Sequence, residues 1–192
     1  VEIGTWMMRT ACTQLAIWQS NPATAHLTLS VNVSARQFVE PDLVAITETI
    51  LRETGVNPRG LKFELTESLV VSDFAHTARQ MKALGMLGIS FSLDDFGTGY
   101  SSLVCLRELP IDQLKIDYSF MRGVLTDRND AAIVRSIIAL GGSLGLQVIA
   151  EGVETIGQRQ FLSDAGCFAY QGYLYACAIT DGDFSRYAST AH

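Results

Sequence analysis

Six short apolar runs, each ending on a polar or ionisable residue and each separated from the next by a helical stretch, constrain this fold most. The runs are Leu27 to Val33, Leu61 to Leu65, Ile89 to Leu93, Leu114 to Ile116, Leu146 to Ala150 and Cys167 to Tyr170. Helices are predicted over 5–19, 41–54, 72–87, 101–109, 130–144 and 155–164, with a short one near 183–188. Proline at the N-terminal end of 41–54 and Ser72 or Asp73 before 72–87 are the expected start signals. Strands alternating with helices imply βαβ units and a parallel sheet. The residues at the strand ends are Asn32, Glu64, Asp94, Lys115, Glu151 and Gln171, spaced 20 to 36 positions apart. Each strand–helix unit therefore delivers one such residue to a shared edge. In a (β/α)8 barrel that C-terminal edge is where active sites form. A complete barrel needs eight strands and ~200 residues or more. The expectation is one α/β domain over 1–192, a TIM-type barrel whose first strands lie before Val1.

The stretch with most chemistry is Asp94-Asp95-Phe96-Gly97-Thr98-Gly99, directly after the third run. Two adjacent carboxylates at the end of a hydrophobic strand are costly without a cation or hydrogen-bond donors. Carboxylate oxygens are hard ligands suited to Mg²⁺, Mn²⁺ or Ca²⁺. Read alone, the stretch fits a metal site or a capped polar turn. Together with Asn32, Glu64 and Glu151, it supplies oxygen ligands enough for two cations, an arrangement that assists displacement at phosphorus. Lys115 is a cation in this acidic mouth, able to orient water or neutralise charge, or to form a salt bridge with Asp117 or a neighbouring carboxylate. Glu154 either caps the next helix or contacts a base edge, and Gln171 either meets substrate or satisfies a backbone group. Tyr100, Tyr170 and Tyr173 are expected in core or rim. Gly141-Gly142 within a predicted helix implies fraying or a close neighbour.

Composition narrows the function classes. Net charge is −6, which argues against a groove for polymeric nucleic acid but not against a nucleotide held through metal ions. Hydrophobic residues make up 48% and charged residues 18%, so most of the chain is expected to fold. Cys12, Cys105, Cys167 and Cys177 form no zinc-type cluster with the histidines, and free thiols in a cytoplasmic domain are expected. No apolar run reaches the ~18 residues of a membrane span. A longer parent protein anchored in a membrane remains compatible with this.

The stretches VNVSARQF (31–38), FELTES (63–68), DDFGTGYSSL (94–103), LKIDYSF (114–120), VIAEGVET (148–155) and QGYLY (171–175) closely resemble the EAL-domain family of bacterial cyclic di-GMP phosphodiesterases. The likeness runs in order from Ile3 to about Tyr175. It implies a modified TIM barrel whose Mg²⁺ or Mn²⁺ ions activate water against cyclic di-GMP to give linear pGpG. Ca²⁺ is expected to bind without supporting turnover. It further implies that Asn32, Glu64, Asp94 and Asp95 are metal ligands, with Asp94 bridging two ions. Glu151 resembles a second-metal ligand or general base, and Lys115 the residue that positions the water. Glu67 resembles the glutamate that steadies the loop after Asp95, coupling it to metal binding and dimer contacts. Gln171 matches a position near water and substrate.

The chain departs from the family pattern in two places. The Glu-Ala-Leu motif, whose glutamate is a metal ligand, would lie before Val1. After Tyr175 the chain continues Ala176-Cys177-Ala178 where many relatives carry a small residue followed by Lys-Pro. A metal-dependent phosphodiesterase is the first reading. A receptor that binds cyclic di-GMP without cleaving it is the alternative, and a scaffold that only dimerises is a third. The family also implies a homodimer and upstream sensory or cyclase domains in the parent. Residues 1–192 alone are expected to turn over weakly or not at all and, with open sheet edges, to associate.

Overall fold

The computed structural model describes residues 2–99, 103–180, 182–184 and 187, with side chains undescribed at 70–72 and 103–105. Within them the chain divides into two compact units, residues 1–65, 72–91 and 179–192 in one and 66–71 and 92–178 in the other.

The first unit begins with helix α1 (Glu2–Gln19), which buries Met8, Cys12 and Leu15 on one side. Strand β1 (Leu29–Asn32) pairs in parallel with β2 (Leu61–Thr66), bringing Asn32 level with Glu64. Between them lie α2 (Ala35–Phe38) and α3 (Leu43–Thr54). The hydroxyl of Ser34 and the side chain of Gln37 close a reciprocal cap at the start of α2. Pro41 lies outside α3, because Leu43 N–H donates to Glu40 in a turn before the helix begins. Phe63 meets Phe91 edge-on at 6.3 Å between ring centres. Fully burying a side chain of this kind stabilises by roughly 1.5–3 kcal/mol. Helix α5 (Phe74–Met86) also belongs here, capped by Asp73, whose carboxylate accepts the His76 N–H at 3.0 Å.

The second unit holds helix α4 (Glu67–Ser72) and most of β3 (Ser90–Phe96). It continues with α6 (Leu103–Glu108), β4 (Gln113–Ile116), α7 (Tyr118–Gly123) and α8 (Arg128–Leu144). Strand β5 (Gln147–Ala150), α9 (Ile156–Asp164) and β6 (Ala169–Tyr170) complete it. The strands β3 to β6 lie in chain order, each parallel to the next. Leu114, Ile116, Val134, Val153 and Leu162 form its buried core.

Three expectations need correction. Strand β3 does not stop at Leu93 but runs through both aspartates to Phe96, with a shift of register against β4 between Leu93 and Phe96. The 72–87 helix begins at Phe74, because Asp73 is its cap. The six-residue helices α4 and α7 were not visible as periodic patterns. Of the two readings offered for the glycines of α8, the close neighbour holds: Gly141 is buried, and a Cβ there would lie 2.3 Å from Val148. Tyr100 and residues 101–102 lie outside the described residues, as does much of the helix expected near 183–188. Among the described residues no helix is long and apolar enough to cross a membrane.

Candidate functional site

Three parallel strands bring Asp94, Lys115 and Glu151 together in the second unit. Lys115 projects from β4, one residue before the strand ends, and its Nζ lies 3.1 Å from Asp94 Oδ1 and 2.6 Å from Glu151 Oε1. The lysine side chain is 7% exposed, and each carboxylate 16%. Glu151 follows β5 directly, where its N–H donates to Ile116 C=O at 3.1 Å. Gln171 follows β6 and donates from Nε2 to the same Glu151 oxygen at 2.7 Å. The segment after Glu151 is tied to the segment after β6 by the Val153 N–H to Gln171 C=O bond at 3.0 Å. Glu151 is thus held by an ammonium, an amide and its own backbone.

Asp95 adopts the left-handed conformation, φ 54°, where β3 shifts register. Aspartate tolerates this region better than most residues, though such positions cost about 1–3 kcal/mol. Burial raises the Asp95 carboxyl above its ordinary range, and Asp94 and Asp117 push it further. Lys115 opposes them, and a hydrogen bond with Asp117 adds to the rise. Asp117, buried at 6% exposure, also caps α7 by accepting the Ser119 N–H at 3.0 Å. The sequence presents Asp117 only as a partner for Lys115. Its cap role was legible in Asp-Tyr-Ser, but its approach to Asp95 depends on the register shift in β3.

Glu67, the first residue of α4, is 5% exposed and accepts the Gly97 N–H at 3.3 Å, joining α4 to the loop after Asp95. The other site candidates fall elsewhere. Glu154 is exposed, and the capping of α9 falls to Thr155 and Gln158, not to the Glu154 side chain. In the first unit, Asn32 at the end of β1 stands level with Glu64 inside β2, with Val33 N–H donating to Glu64 C=O at 3.0 Å.

The donor set matches a hard divalent cation in kind. Asp94, Asp95, Asp117 and Glu151 are all oxygen donors: Asp94 and Glu151 flank the Lys115 ammonium, and Asp95 lies near Asp94, Asp117 and Lys115. Among the described residues, however, no three Asp, Glu, His or Cys groups converge closely enough to enclose an ion as they stand. The fit lies in ligand chemistry and charge, not in a preformed cage.

The EAL domain family model matches residues 1–178. The bifunctional diguanylate cyclase/cyclic di-GMP phosphodiesterase MucR of Pseudomonas aeruginosa is 41% identical over 174 residues, 91% of this chain and 25% of MucR. The solved structure of the MucR phosphodiesterase in complex with c-di-GMP superposes with a TM-score of 0.92 at 39% identity, covering 96% of this chain and 74% of that one. The crystal structure of the EAL domain of Mycobacterium smegmatis DcpA also gives 0.92, at 38% identity, covering 100% of this chain and 86% of that one. The chain spans about a quarter of the length of the curated relatives it matches.

Proposed function

The chain belongs to the EAL-domain family, with six parallel strands of the family's TIM-type barrel, and on that premise we propose that it serves a metal-dependent phosphodiesterase that opens cyclic di-GMP to linear pGpG. The observation that carries this reading is the Asp94–Lys115–Glu151–Gln171 cluster, in which an ammonium bridges two carboxylates at the strand ends. The retention of these groups favours an enzyme over a receptor. MucR, a cyclic di-GMP phosphodiesterase at 41% identity, supports the substrate class.

In this reading Mg²⁺ or Mn²⁺ is held by Asp94 and Asp95, with Glu151 as a further ligand, and by Asn32 and Glu64 as the family resemblance implies. The metal supplies Lewis-acid stabilisation of charge developing at phosphorus. Glu151 accepts the proton of the attacking water, a role worth roughly 10²–10⁴-fold in rate. Gln171 fixes the rotamer of that carboxylate through its bond to Oε1. Lys115 orients the water and offsets negative charge as the ester oxygen departs. Glu67 holds the Gly97 loop and with it the position of the aspartates. Glu154, exposed beyond Glu151, contacts a base edge. The parent protein is proposed to act as a homodimer in the cytoplasm, with sensory or cyclase domains in the same chain.

The test is to incubate the full-length protein with cyclic di-GMP and Mg²⁺ or Mn²⁺, then separate the products by chromatography. Formation of pGpG that stops on chelation supports the enzyme. Binding without pGpG in either metal supports the receptor alternative, and Ca²⁺ is expected to sustain binding without product.

A further inference from the structure

We propose that Tyr118 is a substrate-binding residue, an aromatic wall at the mouth of the site that stacks on one purine base of the cyclic dinucleotide. The proposal rests on the substrate reading above. Tyr118 lies three residues beyond Lys115 and is the first residue of α7, immediately after the buried cap Asp117. Its side chain is not needed to anchor that helix, because Met121 is the fully buried residue of α7 and Tyr118 remains 55% exposed.

The base of its side chain is nevertheless closely packed. The Glu151 N–H to Ile116 C=O bond lays residues 116–118 beside residues 151–152. Gly152 then passes against Tyr118: a Cβ on Gly152 would lie 2.8 Å from Tyr118 Cβ, 3.4 Å from its Cα and 3.9 Å from its Cγ. Gly152 is also left-handed, φ 68°, a conformation that suits glycine and favours the absence of a side chain here. The base of the tyrosine is therefore seated on the residue next to Glu151, while much of the ring stays open to solvent. An exposed aromatic ring whose base is packed beside a phosphodiester-cleaving cluster suits a ligand that carries flat bases next to its phosphates. Stacking of a base on such a ring is sequence-tolerant in origin and worth on the order of tenfold in affinity.

The experiment compares full-length wild type with Tyr118→Phe and Tyr118→Leu. Dissociation constants for cyclic di-GMP are measured by calorimetry in Ca²⁺, and kcat and KM by pGpG formation in Mn²⁺. A stacking wall predicts that Phe stays within about twofold of wild type, while Leu weakens Kd and raises KM on the order of tenfold with kcat within about twofold. Urea midpoints report whether either variant is misfolded, and the Phe variant retains the test if Leu is. Leu binding as tightly as wild type overturns the proposal. So does a loss confined to kcat, which would place Tyr118 in the chemistry and not in base recognition. A wild type that neither binds nor cleaves cyclic di-GMP overturns the functional reading and this proposal together. Binding by wild type with an unchanged Leu variant overturns only the role of Tyr118.

Discussion

Lys115 Nζ lies 2.6 Å from Glu151 Oε1, and the pair is nearly out of water, with 7% and 16% of the two side chains exposed. The same oxygen also accepts the Gln171 amide at 2.7 Å. Glu151→Gln keeps the shape of this group but removes its charge and its capacity to take a proton. The expected result is a folded protein whose pGpG formation falls by roughly 10²–10⁴-fold. Product chromatography reads the loss, and circular dichroism confirms the fold. Full activity in this variant would remove Glu151 from the chemistry.

Gly141 and Gly142 are neighbours in α8 with opposite surroundings. A Cβ at Gly141 would meet Val148 Cγ2 at 2.3 Å, whereas at Gly142 it would meet nothing within 4 Å. Val148 is β-branched and cannot swing aside freely. Gly141→Ala is expected to destabilise by about 1–3 kcal/mol through overpacking. Gly142→Ala is expected to stabilise by about 0.5–1 kcal/mol through helix propensity. Urea midpoints of the two variants should therefore move in opposite directions.

The strand–helix period was legible because each strand is an apolar run and each long helix buries one face. It was enough to bring Asp94, Lys115 and Glu151 to one edge of the sheet, with Asp94 inside β3 and not at its end. The bulge in β3 was not legible. The register shift between Leu93 and Phe96 arises from pairing with β4, which no local pattern encodes. The same holds for α4 and α7: with six residues each, they are too short to show a period and are set by caps and tertiary contacts. The sequence also left two partners open for Lys115. Asp117 sits two residues along, but its carboxylate accepts the Ser119 N–H and starts a helix, while Asp94 and Glu151 flank the ammonium.

Asp95 should leave a signature in the pH dependence of stability. Its carboxyl is raised, first by burial and then by Asp94 and Asp117, so the folded state holds that proton more tightly than the unfolded chain. The stability this contributes is fully present below the ordinary value of 3.8 and is lost as pH rises through the raised one. Asp95→Asn cannot ionise, and asparagine accepts the left-handed backbone. In chelator-treated protein its stability relative to wild type should increase as pH rises from about 3 towards 7. Denaturant titrations across that range give the answer, and a constant difference would mean that Asp95 titrates normally.

The thiols should react by burial. Cys12 is fully buried, and burial pushes its thiol up to about 11 despite Arg9 nearby. Burial raises the Cys167 thiol as well, whereas Cys177 is exposed. Thiolate is the reactive form. In a Cys105→Ser background, an alkylating reagent at pH 8 should modify Cys177 rapidly, with Cys12 and Cys167 reacting only after unfolding. Mass spectrometry of peptides over time distinguishes the three sites.

Glu67 couples a short helix to the loop that follows the paired aspartates, accepting the Gly97 N–H at 3.3 Å from a position 5% exposed. A Cβ on Gly99 would lie 3.2 Å from Glu67 Oε1, so the carboxylate packs against two points of the loop. Glu67→Ala removes both contacts, at a cost of about 0.5–1.5 kcal/mol for the lost hydrogen bond, because water can reach the exposed Gly97 amide. Its effect on turnover should be larger than its effect on the fold, because Asp94 and Asp95 lead directly into this loop. Glu67→Gln keeps an acceptor for Gly97 and should retain more activity than Ala at similar stability. Hydrogen exchange at the Gly97 amide supplies the independent measure: it should accelerate in Glu67→Ala and much less in Glu67→Gln. Equal exchange in all three proteins would show that Glu67 does not hold the loop.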